Sequence, residues 1–136
     1  MADTFTFELV SPDRLLLSEQ VEMVVVPGEE GDFGVLPGHA PVISAMRPGL
    51  IAVYDGGQVS RRLFVSGGFA EVSDNRLTVL AQEADSLEDL DRGVIEQRLK
   101  ELREDLADST DEREMRAATA AIAAAEARLA VLDSAT

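Results

Sequence analysis

Phe5, Phe7 and Leu9 alternate with Thr4, Thr6 and Glu8, the two-residue period of a strand with one face in a core and the other in water. Pro12-Asp13 makes a turn, and Leu15 to Leu17 resumes an apolar run. Val21 to Val26 alternates at Glu22 and then becomes continuous, which predicts a strand buried on both faces. Leu50 to Tyr54 and Val59 to Val65 flank Asp55-Gly56-Gly57, a hairpin signal because glycine takes positive φ without a Cβ clash. Gly67-Gly68 and Asp74-Asn75 punctuate two further strands, Phe69 to Val72 and Arg76 to Ala81. Short strands at this spacing predict a sandwich or flattened barrel.

The period then changes. Ile95, Leu99, Leu102 and Leu106 are spaced for one face of a helix, with Glu96 and Lys100 as an i,i+4 pair. Asp108-Ser109-Thr110-Asp111 breaks the pattern, and Ser109 with Glu112 fits a capping box that starts a second helix. There Met115, Ala118, Ile122, Ala125, Leu129 and Leu132 recur in steps of three and four. So short a break predicts antiparallel neighbours. The fold class is therefore α+β: a β-rich domain over residues 1–84, then a helical hairpin over 85–136 with helices near 88–107 and 111–133.

Composition sharpens the division. All five Phe and the one Tyr lie at or before Phe69, and nine of ten glycines and all five prolines precede Gln82. Nine alanines between Ala117 and Ala130 let two helices approach closely while burying little apolar area. A hairpin so built reads either as a permanently packed appendage or as a moving part. The net charge of −14 opposes binding to nucleic acid or an anionic membrane surface. No apolar run approaches the length of a membrane span, so no direct membrane insertion is expected. With no cysteine there is neither a disulfide framework nor a thiolate. The N-terminus lacks the basic and apolar regions of a signal peptide, which fits a bacterial cytosolic protein.

Candidate chemistry concentrates in Pro27 to Gly49, which holds four of the five prolines and five of the ten glycines. Gly28, Gly31 and Gly34 suggest a phosphate loop, but Glu29, Glu30 and Asp32 would repel phosphate and no Lys-Ser/Thr follows. His39 is the only histidine, too few for a zinc site, and no Gly-x-Ser-x-Gly elbow supports a triad. No metal, cofactor or catalytic residue is expected, and the chain reads as a non-enzymatic adaptor. Two readings of the segment stand: a rigid structural loop, or a stiff surface loop presenting Asp32 and His39 to a protein partner.

At this segment a family resemblance enters. Gly31-Asp32-Phe33-Gly34-Val35-Leu36-Pro37-Gly38-His39-Ala40-Pro41 resembles the signature loop of the epsilon subunit of bacterial F-type ATP synthase, called delta in mitochondria. Arg47-Pro48-Gly49 follows at the family's spacing. Phe64 to Val72 resembles a second signature, and Leu77-Thr78-Val79-Leu80-Ala81 the last strand. Phe7 to Pro12 and the Ala-rich tail fit as well, so the resemblance spans essentially the whole chain.

The resemblance implies a β-sandwich of two stacked sheets followed by two helices. It implies a non-catalytic central-stalk subunit that binds the gamma subunit and the c-subunit ring and rotates with them. Such a subunit couples proton flow to ATP synthesis, and its hairpin can extend toward the catalytic alpha/beta hexamer to restrain hydrolysis. Its place is the cytoplasmic face of the bacterial plasma membrane, as a peripheral part of the complex. The interface positions carried over are Asp32, Phe33, Gly34, Pro37, Gly38 and His39. Family members that bind ATP on the compact hairpin carry Ile/Leu-Asp-x-x-Arg-Ala. Here Leu90 and Asp91 match, while Val94 and Ile95 replace Arg and Ala, so the nucleotide motif lacks its phosphate-facing cation.

An acidic hairpin with Asp108 and Asp111 at its tip also resembles transcript-cleavage factors, which deliver a metal ion into RNA polymerase. Those place the coiled coil first and the globular domain last, the reverse of this chain.

Overall fold

The computed structural model describes residues 3–134 and contains ten strands followed by two helices, in two compact units that part between Leu87 and Glu88. The strands are β1 (Phe5–Val10), β2 (Leu15–Val21), β3 (Met23–Gly28), β4 (Gly31–Val35), β5 (Val42–Met46), β6 (Gly49–Asp55), β7 (Gln58–Val65), β8 (Gly68–Ser73), β9 (Arg76–Leu80) and β10 (Ala84–Ser86). A single-turn 3₁₀ helix at Leu87–Asp89 precedes α1 (Arg92–Asp108) and α2 (Glu112–Ser134).

The sandwich is one continuous sheet folded over on itself rather than two separate sheets. Its strand order is β10-β7-β6-β3-β5-β8-β9-β1-β2, with β4 paired to β3 beside that path. The path crosses between layers at a single pair, Gly28 with Met46. Phe5, Phe7 and Leu9 of β1 bury their side chains, and Val24, Ile51, Val65, Val72, Leu77 and Val79 join them from both layers in one core. The alternation read from the sequence is thus the two-faced pleat of strands that each turn one side inward. β1 also pairs with β9 in parallel, the one parallel ladder among the described strands.

Two turns are set by backbone conformation. Gly56 and Gly57 have φ of 62° and 75° and close the two-residue β6–β7 hairpin. Asp74 and Asn75 do the same between β8 and β9 with φ of 53° and 58°, a conformation that Asn and Asp tolerate best among residues with a side chain.

Four sequence expectations are corrected. Val21 to Val26 is not one doubly buried strand: the chain breaks at Glu22 between β2 and β3, and Val25 is only partly buried. Glu22 is diverted to the β6–β7 turn, where its carboxylate accepts from the Gly56 amide at 2.6 Å. The stretch from Pro27 to Gly49 is mostly strand, since β4 pairs with β3 and β5 with β8, leaving residues 36–41 as its longest loop beside the short turns at 29–30 and 47–48. A boundary after residue 84 cuts through β10, which pairs with Leu63–Val65 of β7.

The fourth correction concerns the helices. α1 begins at Arg92 rather than near 88, because Asp91 is its N-cap and accepts from the Val94 amide at 3.1 Å. The capping box at Ser109 is not formed. Asp111 caps α2 instead, its Oδ1 accepting from the Arg113 amide at 2.8 Å, while Ser109 is the C-cap of α1. Carboxylate outcompetes hydroxyl here because it adds charge at the positive end of the helix. Ile95 and Leu99 pack with Ile122, Ala125, Leu129 and Leu132 along the hairpin's seam, and Leu90 joins that cluster.

Candidate partner interface

The β3–β4 turn is held by Arg47. Its Nη1 donates to the Gly28 carbonyl at 2.5 Å, its Nη2 to Asp32 Oδ1 at 2.5 Å, and its backbone N–H to the Pro27 carbonyl at 3.0 Å. The Glu29 amide donates to the Ala45 carbonyl at 2.9 Å. A Cβ on Gly28 would lie 2.6 Å from the Gly31 carbonyl oxygen and 2.9 Å from the Phe33 ring, so the turn closes around a residue that has no side chain. Asp32 is therefore not a free charge: it is exposed, but spent on Arg47. Glu29 and Glu30 at the turn are exposed as well. They border an open notch of about 470 Å³ shared with Phe33, Ile43 and Ser44.

The six interface residues expected from the sequence fall on two neighbouring elements. Asp32, Phe33 and Gly34 belong to strand β4, with only Phe33 half-buried against the core. Pro37, Gly38 and His39 lie in the loop to β5. This loop is pinned to the β8–β9 turn: the Gly38 amide donates to Asn75 Oδ1 at 3.0 Å, and Asn75 Nδ2 donates to the Thr4 carbonyl at 3.0 Å. His39 Nδ1 lies 2.7 Å from the Ala40 carbonyl oxygen; a carbonyl only accepts, so this nitrogen carries the proton. Among the described residues no group of three or more His, Cys, Asp or Glu side chains is placed to hold a metal ion.

A larger surface was invisible in the sequence. Register places Ala45 opposite Phe69, Phe69 opposite Leu80, Leu80 opposite Val10 and Val10 opposite Leu15. These five residues form one row across β5, β8, β9, β1 and β2, on the face away from the core, with a register irregularity where it passes from β1 to β2. Phe69, Leu80 and Leu15 are 57%, 44% and 53% exposed, and Ile43, beside the row, is 71% exposed. Gly68 permits the close approach of β8 to β9 beside the row, since a Cβ there would lie 2.0 Å from the Leu80 carbonyl oxygen. The next row, Ile43, Glu71, Thr78, Glu8 and Ser18, is polar apart from Ile43, and Glu8 is ion-paired to Arg76. A contiguous apolar strip with a polar border marks a protein-docking surface. Sequence alone offers only weak traces of it, in the Leu15-Leu16-Leu17 run and in Phe69 after two glycines; the parallel β1–β9 pairing that aligns the row has no local signal.

On the hairpin, the two residues matching a nucleotide motif are structural. Asp91 caps α1 and Leu90 packs in the helical core. Val94, where that motif has arginine, is exposed.

The family model for the β-sandwich domain of the ATP synthase delta/epsilon chain matches residues 4–86. The ATP synthase epsilon chain of Rhodospirillum rubrum is 55% identical over 130 residues, covering 96% of this chain and 97% of that one. That of Rhodospirillum centenum is 52% identical over 139 residues, covering 98% and 95%. A chain in the cryo-EM structure of the Euglena gracilis mitochondrial ATP synthase, comprising OSCP, F1 and c-ring, matches with a TM-score of 0.74 at 30% identity, over 95% of this chain and 81% of that one. A chain of the Tetrahymena thermophila mitochondrial central stalk and c-ring matches with a TM-score of 0.54 over 92% and 93%; at 16% identity this is a likeness of fold. The sandwich followed by a hairpin is the architecture of a rotary ATP synthase accessory chain. This chain belongs to the ATP synthase delta/epsilon family, among its bacterial epsilon chains.

Proposed function

We propose that this chain is a non-catalytic central-stalk subunit of a proton-translocating F-type ATP synthase. The row Ala45–Phe69–Leu80–Val10–Leu15 is its seat on the gamma subunit, and the β3–β4 turn with the loop to β5 faces the c-subunit ring. The observation that carries this reading is the apolar row. Side chains as large as Phe69 and Leu80 on the solvent side of a sheet, aligned across five strands, are what a stable protein partner covers. The Euglena and Tetrahymena matches, to chains of assemblies that include the c-ring, support the same setting.

The chain holds its proton-coupling role by position and not by chemistry. His39, its single histidine, is bonded to neighbouring backbone, and Asp32 to Arg47. The hairpin reaches toward the alpha/beta hexamer to restrain hydrolysis, and Val94 leaves it without a nucleotide-sensing cation. Its location is the cytoplasmic face of the bacterial plasma membrane, peripheral; among the described residues no helix is long and apolar enough to cross a membrane. The test is a pull-down with the full-length chain at native abundance from its bacterial host. Recovery of gamma and the c ring supports the reading, and recovery of RNA polymerase without them overturns it.

A further inference from the structure

We infer, on the reading that the apolar row seats a protein partner, that Glu71 is the specificity-determining charge of that face and receives a cationic side chain from the partner. Two carboxylates, Glu71 of β8 and Glu8 of β1, flank Thr78 of β9 in the row beside the apolar one. Arg76 precedes Thr78 by two residues on the same side of β9 and is opposite Ser73 on β8 and Thr6 on β1. It is therefore diagonal to both carboxylates, within reach of a long side chain. Its guanidinium goes to Glu8. Among the described strand residues of this face Arg76 is the only base. Glu71 is exposed and has no ion-pair partner among the described residues. Two acids thus share one arginine, and one of them keeps its charge uncompensated.

That charge stands where a partner must cover it. Phe69 precedes Glu71 by two residues on the same side of β8, about 7 Å along the strand. Ile43 is directly opposite Glu71 on β5. Phe69 and Ile43 are the two most exposed large apolar side chains of this layer. A surface that covers both passes over Glu71 and strips its water. An ionised carboxylate desolvated without a counterion costs more than burying one Phe side chain returns. A partner that binds stably here therefore brings a cation to Glu71, as Arg76 does for Glu8 within the chain. The same carboxylate rejects wrong partners. Two copies of this chain meeting through the row would desolvate two unpaired carboxylates and supply no unpaired cation.

Association and dissociation rates of the full-length chain on isolated gamma subunit test this, comparing wild type, Glu71→Gln, Glu71→Lys and Phe69→Ser at low and high salt. Glu71→Gln keeps the shape of the side chain and removes its charge. It should dissociate at least about thirtyfold faster at both salt concentrations, as breaking a buried charge pair does, with little change in association rate. Glu71→Lys sets two cations together and should bind more weakly still. Thermal melts of the free variants should match the wild type, because Glu71 is exposed and unpaired there. If Glu71→Gln dissociates as slowly as wild type, or differs only in an association rate that high salt equalises, Glu71 takes no partner cation; weak binding by Phe69→Ser then leaves the seat itself standing. If Phe69→Ser also binds as wild type does, the row is not the seat, and Glu71 has no partner there to receive.

Discussion

Arg47 and Asp32 are joined at 2.5 Å across the β3–β4 turn, and the same guanidinium also holds the Gly28 carbonyl. Asp32 thus shapes the β3–β4 turn, in addition to any charge it presents. Asp32→Asn removes the charge while keeping an acceptor; since both partners are about half exposed, it should cost no more than about 1 kcal/mol of stability. Asp32→Arg places two guanidinium groups together and should both loosen the turn and weaken coupling. Proton pumping in vesicles at matched ATPase rates checks this: weakened pumping for Asp32→Arg and near-normal pumping for Asp32→Asn are expected. Unchanged pumping for Asp32→Arg would remove the turn from the interface.

Residues 1–87 should fold alone, and more stably than residues 1–83. The aromatic core lies wholly within the first unit, and the difference between the two truncations is β10, whose pairing with β7 covers Leu63–Val65. Both should melt cooperatively, with the shorter one several degrees lower, as a loss of about 1 kcal/mol gives in a domain this small. A non-cooperative melt of residues 1–87 would mean that the hairpin is part of the same folding unit.

Asn75 serves the β8–β9 turn and the His39 loop at once. Asn75→Gly keeps the positive φ but loses the side-chain bonds to Gly38 and Thr4. Asn75→Ala loses both, and should cost about 1–2 kcal/mol more than the glycine variant. Chemical denaturation of the two variants gives the difference; equal stabilities would show that the backbone conformation carries no strain for alanine.

Strand order along the chain was legible wherever a strand alternates between core and water, as at Phe5-Phe7-Leu9, or ends at a glycine or asparagine turn. It failed between Pro27 and Gly49 because β4 and β5 are short strands rich in Gly, Ser and Ala, so propensity there reads as loop. The helices were legible from their apolar spacing, but their starts were not, since Asp and Ser both cap and only geometry chooses Asp91 and Asp111. Of the proposed interface, Asp32 to His39 was named from a long local motif. The apolar row joins residues from five strands and depends on the parallel β1–β9 ladder, a relation between distant segments that no window of sequence contains.

Deleting residues 87–136 from the assembled enzyme should raise ATP hydrolysis by less than several-fold. From Ser86 to Asp108 the chain has eight acids and four bases, and from Asp111 to Thr136 five acids and three bases, so both helices are net negative. On the proposed reading this arm approaches the hexamer with a net negative charge, and any carboxylate it meets there repels it within a Debye length of about 8 Å. Steady-state hydrolysis of the two assemblies decides it, and a several-fold activation would identify the hairpin as a strong brake despite its charge.

The most direct test of the account is the affinity of full-length Phe69→Ser for isolated gamma subunit, measured by calorimetry beside the wild type. Phe69 is the one aromatic of the row and its most exposed member, and its side chain points away from the core, so thermal stability should stay within about 0.5 kcal/mol of wild type. Truncating an aromatic anchor commonly costs about 2–4 kcal/mol of binding, a thirtyfold or greater weakening. Wild-type affinity from a stably folded Phe69→Ser protein would contradict the assignment of this face to gamma.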